Sequence, residues 1–383
     1  MEFDVEKLLR EEVRDLPVYS PGKSPEEVAR ELGVADCVKM ASNENPLGPS
    51  PRAVEAAKAA MSMAHVYPDG NSTRLREALA RRLGVAAECI LVGHGADEIF
   101  DLLAYAFLRR DDEIVVGDPT FTSYELAALT MGARARKVPL RDYRQDIPAM
   151  LDAVGARTRM VLLCSPLNPT GTTVSGEELE EMLGSLPRDV LLVLDEAYVE
   201  YVTDPDHPDA MEYFTTNPRL VITRTFSKAY GLAGLRVGYA VCDPTVREAL
   251  EKVKLPFNVN RIGQEAALAA LPRTDSGNAE AFVALHHDRF RYDHRRHTWL
   301  AWDGARWRED ADGEAERAMI ETVRRRRAAL AAQIKEPAQA RPAVAWAFGQ
   351  EAHARLRAGL ELARVLDPMP VLSESLDRDP YLL

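Results

Sequence analysis

The chain has 383 residues, 46% of them apolar and 28% charged, which is typical of a globular protein with a sizeable core. Its net charge of −12 argues against a general affinity for nucleic acid or anionic membranes. It has no apolar run long enough to cross a membrane, no apolar N-terminal leader, and no zinc-like spacing among its four cysteines. The composition therefore excludes fibrous and disordered proteins and predicts a cytoplasmic protein with free thiols, without a metal site.

Apolar, β-rich segments alternate with segments of helical periodicity in the first 272 residues. Strands are predicted at 114–116, 160–164, 190–194, 220–223 and 237–241. Helices are predicted at 51–63, 73–83, 97–108, 124–131, 176–186 and 245–254. Because the strands are apolar on both faces, we expect an α/β fold with a mainly parallel sheet and helices on both faces. Ligands of such sheets bind at the carboxyl ends of the strands.

The composition changes near residue 272. Residues 1–272 contain 30 basic residues (Lys and Arg) and 42 acidic residues (Asp and Glu). Residues 273–383 contain 18 basic and 18 acidic residues. All four tryptophans and five of the eight histidines lie in the second part. Chance clustering around one aromatic core is an alternative, but we predict two domains, 1–272 and 273–383.

The second part is predicted to be a small α+β segment. Residues 279–285 have helical character, and residues 291–307 are typical of a hairpin with its turn at Asp303 and Gly304. Helices rich in Ala, Arg and Glu are predicted at 314–333 and 350–365. The arginine run 324–327 is interpreted as a solvated helix face in preference to a DNA contact.

Lys228 follows a predicted buried strand in the segment TFSKAYG. A solvated loop lysine is one interpretation, since most lysines are exposed. However, Thr225, Ser227 and Arg236 supply two hydroxyls and a guanidinium close by in sequence, which suits a phosphate. A lysine beside a phosphate site suggests a Schiff base with pyridoxal 5′-phosphate (PLP).

Two further strands end in polar residues. Asp195 ends the strand 190–194 and is followed by Tyr198, and Asn168 follows the strand 160–164 in an Asn-Pro-Thr-Gly turn. Asp195 could simply cap a helix, and the turn needs no chemistry. Alternatively, Asp195 would keep the pyridine nitrogen of PLP protonated, while Tyr198 and Asn168 bind its 3-oxygen.

A glycine-containing turn precedes the helix predicted to begin at Asp97. Glycines before a helix N-terminus expose backbone N–H groups that bind anions, although such turns are frequent. Phe121 could stack on a flat ring, and a core aromatic is an equal alternative.

Together these motifs resemble, in order and spacing, the class I/II aminotransferases of PLP fold type I. The resemblance covers about residues 4–271, and within the group it is strongest to the histidinol-phosphate aminotransferases. Further segments that carry it are 18–23 (VYSPGK), 40–48 (MASNENPLG), 67–70 (YPDG) and 255–260 (LPFNVN).

The resemblance implies roles for the matching residues. Lys228 would bind PLP covalently and later carry a proton, and Asp195 would pair with the ring nitrogen. Asn168 and Tyr198 would hold the 3-oxygen, and Phe121 would stack on the ring.

The resemblance also implies phosphate contacts, substrate contacts and a homodimer. Tyr67 would reach the site of a second subunit, and Tyr19 and Asn43 would line the substrate side. The residues implied around the cofactor phosphate are Ala96, Asp97, Thr225, Ser227 and Arg236.

The resemblance stops near residue 272. A smaller C-terminal domain of the family supplies an arginine for the substrate carboxylate, usually as Arg-x-[Thr/Ser]-x-Gly, and residues 273–383 lack that pattern. Because positioning contributes several kcal/mol to catalysis, we expect impaired turnover. Residues 273–383 are instead similar to the N-terminal region of phage and plasmid primase–helicases, and only this part would contact nucleic acid.

The sequence therefore predicts a PLP-dependent aminotransferase acting on small amino acids and 2-oxo acids. The first candidate reaction is amino transfer between histidinol phosphate and 2-oxoglutarate. An aromatic aminotransferase and a threonine-phosphate decarboxylase-like enzyme remain alternatives. A third alternative is an inactive chimera with a nucleic-acid-associated C-terminal part.

Overall fold

A computed structural model describes most of the first 271 residues and parts of the remainder. The described residues are 4–14, 16–18, 22–34, 39–204, 206–271, 282–283, 285–293, 295–333, 360, 363 and 370–371, with 326–333 and 370–371 described as backbone only. Tyr19 and most of the predicted helices 279–285 and 350–365 lie outside these residues. The chain divides into two compact units, Met1–Leu268 and Ala269–Leu383.

A seven-stranded sheet forms the centre of the first unit. Its spatial order is β1-β7-β6-β5-β4-β2-β3; the pairs from β6 to β3 are parallel, and β7 is antiparallel to both of its neighbours. The strands are β1 (Ile90–Gly93), β2 (Glu113–Asp118), β3 (Arg134–Pro139), β4 (Thr158–Cys164), β5 (Leu191–Asp195), β6 (Leu220–Thr225) and β7 (Gly238–Val241).

Eleven α-helices lie between residues 11 and 270 in the described part of the chain. The shorter ones are α1 (Glu11–Arg14), α2 (Pro25–Leu32), α6 (Thr122–Thr130), α7 (Ile147–Asp152) and α9 (Ala210–Phe214). The longer ones are α3 (Pro51–Met61), α4 (Thr73–Leu83), α5 (Gly95–Phe107), α8 (Gly176–Ser185), α10 (Pro244–Val253) and α11 (Arg261–Ala270). Their starts follow local chemistry: Ser50 caps α3 ahead of a proline, and Ser175 forms a capping box with Glu178 in α8.

The predicted parallel sheet is confirmed. Nearly every side chain of β2, β5 and β6 is buried, and successive side chains point to opposite faces, so both faces of the sheet are covered. Two strands were missed by the sequence analysis. β1 has only four residues, and the edge strand β3 carries exposed arginines in place of an apolar run.

The strand register brings the predicted polar residues to one edge of the sheet. Cys164 of β4 pairs with Asp195 of β5, and Asp195 pairs with Thr223 of β6. Thr225, the last residue of β6, pairs with Gly238, the first residue of β7. The carboxyl ends of three parallel strands and the start of β7 therefore meet.

The second unit contains a four-stranded sheet of order β10-β9-β8-β11. Its strands are β8 (Phe290–Asp293), β9 (Thr298–Trp302), β10 (Trp307–Glu309) and β11 (Pro370–Val371), and its long helix is α12 (Glu314–Gln333).

The predicted turn of this sheet is confirmed between β9 and β10. The Asp303 carboxylate accepts hydrogen bonds from the backbone of Ala305 and Arg306, both 2.9 Å long, and Gly304 has a φ of +102°. The predicted single hairpin proved to be three antiparallel strands, because the chain also turns between β8 and β9.

Aromatic residues supply much of the second unit's core. Phe282 and Phe290 are fully buried, and Trp299 packs edge-on against Phe282 at 5.6 Å between ring centroids. Trp302 and Trp307 form a half-buried pair on the hairpin. Among the described residues, no helix combines the length and apolar character needed to span a membrane.

Candidate active site

Lys228 lies just beyond β6, at the edge where the polar residues meet. Its Nζ donates a hydrogen bond to the backbone oxygen of Ser42, 2.8 Å away, and lies 5.7 Å from the ring centroid of Tyr198. Burial lowers the pKa of the Lys228 amine below its ordinary value. A larger share of this amine is therefore neutral and nucleophilic near pH 7 than for an exposed lysine.

Asp195 is buried at the end of β5 and accepts three hydrogen bonds. Its Oδ1 accepts from the Ala197 backbone at 3.1 Å and from Thr223 Oγ1 at 3.2 Å, and its Oδ2 accepts from Tyr124 Oη at 2.5 Å. Burial raises the pKa of this carboxyl to about 6, and the three hydrogen bonds oppose that rise. At neutral pH and above, Asp195 is thus a buried anion able to pair with a cation.

Tyr198 follows β5 and faces the segment around residue 43. The Asn43 amide donates to the Tyr198 phenol oxygen at 2.9 Å. Asn43 itself has a positive φ of 50°, a conformation that asparagine tolerates better than most residues. Asn168 lies in the turn after β4, and its side-chain amide has no hydrogen-bond partner among the residues that the structure describes.

Hydroxyl and guanidinium groups cluster where β6 ends and α5 begins. Thr225 Oγ1 donates to Ser227 Oγ at 3.0 Å, and Arg236 Nη1 donates to the same Ser227 oxygen at 3.3 Å. Arg236 Nη2 donates to Asp97 Oδ2 at 2.8 Å. The backbone N–H of the N-cap residue His94 donates to Glu98 Oε2 at 2.6 Å, but the His94 side chain caps none of the N–H groups of the first turn of α5, which leaves them for an anion. This set of donors suits a phosphate.

Glycines allow the backbone to approach closely around this cluster. A Cβ on Gly238 would lie 2.5 Å from the backbone nitrogen of Ala96, and one on Gly95 would lie 2.4 Å from Arg236 Nη2. Because Gly238 pairs with Thr225, the absent side chain lets α5 begin directly beside β6 and β7.

Gly238→Ala is expected to lower the free energy of unfolding by about 1–3 kcal/mol, because the added methyl meets backbone that cannot rotate away. Thermal unfolding measures this loss. The matched control is Gly184→Ala in α8, where a Cβ meets nothing within 4 Å and helix propensity favours alanine. Equal losses in the two variants would contradict the steric explanation.

Two hydroxyl groups that contact Asp195 were not predicted from the sequence. Tyr124 comes from α6 and Thr223 from within β6, and both are fully buried. The signal was available in each case, since a hydroxyl in an otherwise apolar buried segment needs a partner. Phe121 packs edge-on against Tyr124 at 5.5 Å between centroids, which places it beside the Asp195 group.

Tyr67 is separate from this group within the chain. It is 75% exposed and stacks on Phe257 at a centroid distance of 4.7 Å. Its backbone oxygen accepts a hydrogen bond from Arg261 at 2.7 Å, so neither this bond nor the ring pair involves Lys228. Likewise, no cluster of three or more His, Cys, Asp or Glu suited to a metal ion occurs among the described residues.

An ion pair lies buried next to the site. Arg224 Nε is 2.7 Å from Glu196 Oε2, and the two side chains are 13% and 1% exposed. Glu196 directly follows Asp195, and its backbone nitrogen bonds to the Thr223 oxygen. The pair therefore joins the loop after β5 to strand β6, one residue beyond Asp195.

The chain resembles known proteins in sequence and in fold. A family model described as aminotransferase class I and II matches residues 35–299, and one described as D5 N terminal like matches residues 279–383. Both resemblances expected from the sequence are thereby confirmed.

Individual relatives align over about two thirds of the chain or more. The chain is 52% identical over 263 residues to histidinol-phosphate aminotransferase of Moorella thermoacetica, which covers 68% of each protein. It is 46% identical to the corresponding protein of Halalkalibacterium halodurans, over 72% of this chain and 73% of that one. The crystal structure of histidinol-phosphate aminotransferase from Sinorhizobium meliloti in complex with pyridoxal-5′-phosphate superimposes with a TM-score of 0.64 and 30% identity, over 73% and 77% of the two chains.

Proposed function

The chain belongs to the class I and II aminotransferase family, and from this membership we propose that it is a PLP-dependent aminotransferase that exchanges the amino group of histidinol phosphate with 2-oxoglutarate. The observation that carries the proposal is the convergence of the Lys228 amine, the buried Asp195 anion and the Arg236 cluster at one edge of the sheet. The names of the relatives support the choice of substrate.

The residues present fit PLP. The Thr225, Ser227 and Arg236 donors, together with the uncapped start of α5, match the charge and hydrogen-bonding capacity of its phosphate. The absence of a Cβ at Gly238 and Gly95 keeps this cradle tight. We propose that Ala96 and Asp97 complete the cradle through the first turn of α5.

PLP, when bound, supplies an electron sink that stabilises negative charge at the substrate's α-carbon. The chain's own residues would prepare that chemistry. Lys228 Nζ, partly neutral because burial lowers its pKa, would hold the cofactor and then accept and return a proton. Asp195 would keep the ring nitrogen protonated through a charge-assisted hydrogen bond worth roughly 1.5–3 kcal/mol.

Three polar side chains would orient the cofactor and substrate. We assign Tyr198 and Asn168 to the 3-oxygen, since both lie just beyond the ends of the adjacent strands β5 and β4. Asn43, which already donates to the Tyr198 phenol, would line the substrate side with Tyr19. Phe121 would stack on the ring, held by its contact with Tyr124.

We propose a homodimer in the cytoplasm. The exposed Tyr67 and Phe257 rings form a stacked pair that a second subunit would cover, with Tyr67 completing that subunit's site. The cytoplasmic assignment depends on the free thiols of Cys89, Cys164 and Cys242.

The substrate test compares four amino compounds with the PLP-loaded chain. Histidinol phosphate is expected to discharge the visible cofactor band in a single turnover. Steady-state transfer to 2-oxoglutarate is expected to be slow, since residues 273–383 lack the family's carboxylate-binding pattern. Histidinol without its phosphate is the control. A faster response to phenylalanine would instead indicate an aromatic aminotransferase, and release of CO₂ from O-phosphothreonine would indicate a decarboxylase.

A further inference from the structure

Tyr124 places a buried hydroxyl against the carboxylate of the proposed site. The residue is 1% exposed in α6, and its Oη donates to Asp195 Oδ2 at 2.5 Å. A buried phenol is stable only when its oxygen has a partner. The position of this hydroxyl therefore depends directly on Asp195.

The hydrogen bonds of Asp195 are divided between its two oxygens. Oδ1 accepts from the Ala197 backbone and Thr223, both within the sheet and its adjoining loop. Among the described residues, Tyr124 is the donor to Oδ2 and comes from a helix. Donors on both oxygens stop the carboxylate from rotating and fix the direction of its remaining lone pairs.

The Tyr124 ring also contacts the aromatic residue assigned to the cofactor. Phe121 meets it edge-on at 5.5 Å with an interplanar angle of 83°, and Phe100 meets it at 4.7 Å and 75°. Edge-to-face pairs at these distances are favourable and directional. One side chain thus contacts both the carboxylate and the stacking ring.

We infer that Tyr124 is a positioning residue that holds Asp195 ionised and oriented for a protonated ring nitrogen and fixes Phe121 beside it. The part of this inference that concerns the cofactor rests on the proposed function. The part that concerns the contact between Tyr124 and Asp195 rests on the geometry alone.

The Tyr124 hydroxyl opposes the effect of burial on Asp195. Burial raises the pKa of Asp195 to about 6, and the hydrogen bond from Tyr124 lowers it, so Tyr124→Phe should raise that pKa further. The titratable groups that act on Asp195 from the surrounding elements are Tyr124, Cys164, Tyr198, Lys228 and Asp97.

The first test needs no cofactor and uses thermal unfolding at pH 5 and pH 8. Because the folded-state pKa of Asp195 lies above its ordinary 3.8, the carboxyl favours the folded state at low pH, and this contribution is lost as the pH rises through about 6. Tyr124→Phe enlarges that loss. We expect it to lower Tm by about 2–4 °C more at pH 8 than at pH 5.

Two comparisons separate this charge effect from lost packing. In an Asp195→Asn background, Tyr124→Phe should lower Tm equally at both pH values. The matched control Tyr143→Phe, at an exposed tyrosine, should not change Tm at either pH. If Tyr124→Phe lowered Tm equally at pH 5 and pH 8 in the protein that retains Asp195, the inference would be overturned.

The second test measures PLP affinity by titration of the visible band. Tyr124→Phe should raise the dissociation constant about tenfold, and should add nothing in the Asp195→Asn background. Additive losses would refute the coupling. A wild-type protein without a Lys228-dependent band would refute the proposed function, whereas the stability test would still decide whether Tyr124 holds Asp195 ionised.

Discussion

Lys228→Ala is expected to lack the visible absorbance band of lysine-bound PLP after free PLP has been removed, and to lose amino transfer by at least about 10³-fold. The band requires a covalent bond between the cofactor aldehyde and the Lys228 amine. The variant should fold, because the amine donates its hydrogen bond to a single backbone oxygen, that of Ser42, in the segment before α3. Absorbance spectroscopy of the purified protein measures the result.

The matched control is Lys252→Ala, which removes an exposed lysine of α10 that pairs with Glu248 at 3.1 Å. It should keep the band and the activity of the parent protein. A band of full intensity in Lys228→Ala would contradict the proposed site, since another amine would then hold the cofactor.

Arg224→Met is expected to lower the free energy of unfolding by about 3–5 kcal/mol, the range for breaking a buried ion pair from one side. The substitution would leave the Glu196 carboxylate 1% exposed without its cation. It would also remove an attraction that offsets the burial of Glu200, whose pKa burial raises. Chemical unfolding with urea measures the loss.

The double variant Glu196→Gln/Arg224→Met should recover part of that stability, because it removes both charges together. Arg134→Met is the matched control, since Arg134 and Asp111 form an exposed pair at 3.1 Å. Such surface pairs contribute at most about 1 kcal/mol. If Arg224→Met lowered the free energy of unfolding by only this small amount, water would have to reach the ion pair of Arg224 and Glu196.

Local sequence patterns predicted much of the fold. The five apolar segments were confirmed as strands because a run that is buried on both faces is visible in the sequence itself. β1 and β3 were missed for opposite reasons: β1 is too short to show periodicity, and β3 is stabilised by pairing along β2 in spite of its arginines. The predicted helix 73–83 matches α4, whose C-terminus is marked by Gly84 with a φ of +69°.

The candidate site was predicted by residue type and by position after strands, and only the structure established which groups meet. Asp195 ends a strand, and Lys228 and Asn168 each follow one, so parallel topology alone places them at a common edge. No local pattern indicated that Asn43 bonds to Tyr198, 155 positions away, or that Arg236 bonds to Asp97, 139 positions away.

The sequence by itself determined five of the seven strands of the first unit, the family resemblance of both parts, and which amine, carboxylate and phosphate-binding residues are proposed for the site. These depend on local periodicity and on motifs that are continuous in the chain. The tertiary structure decided that Tyr124 donates to Asp195 across 71 residues, that Gly238 admits the start of α5, and that Arg224 neutralises Glu196. These depend on which buried groups share a partner, because the free energy of a buried polar group is set by its neighbours in space.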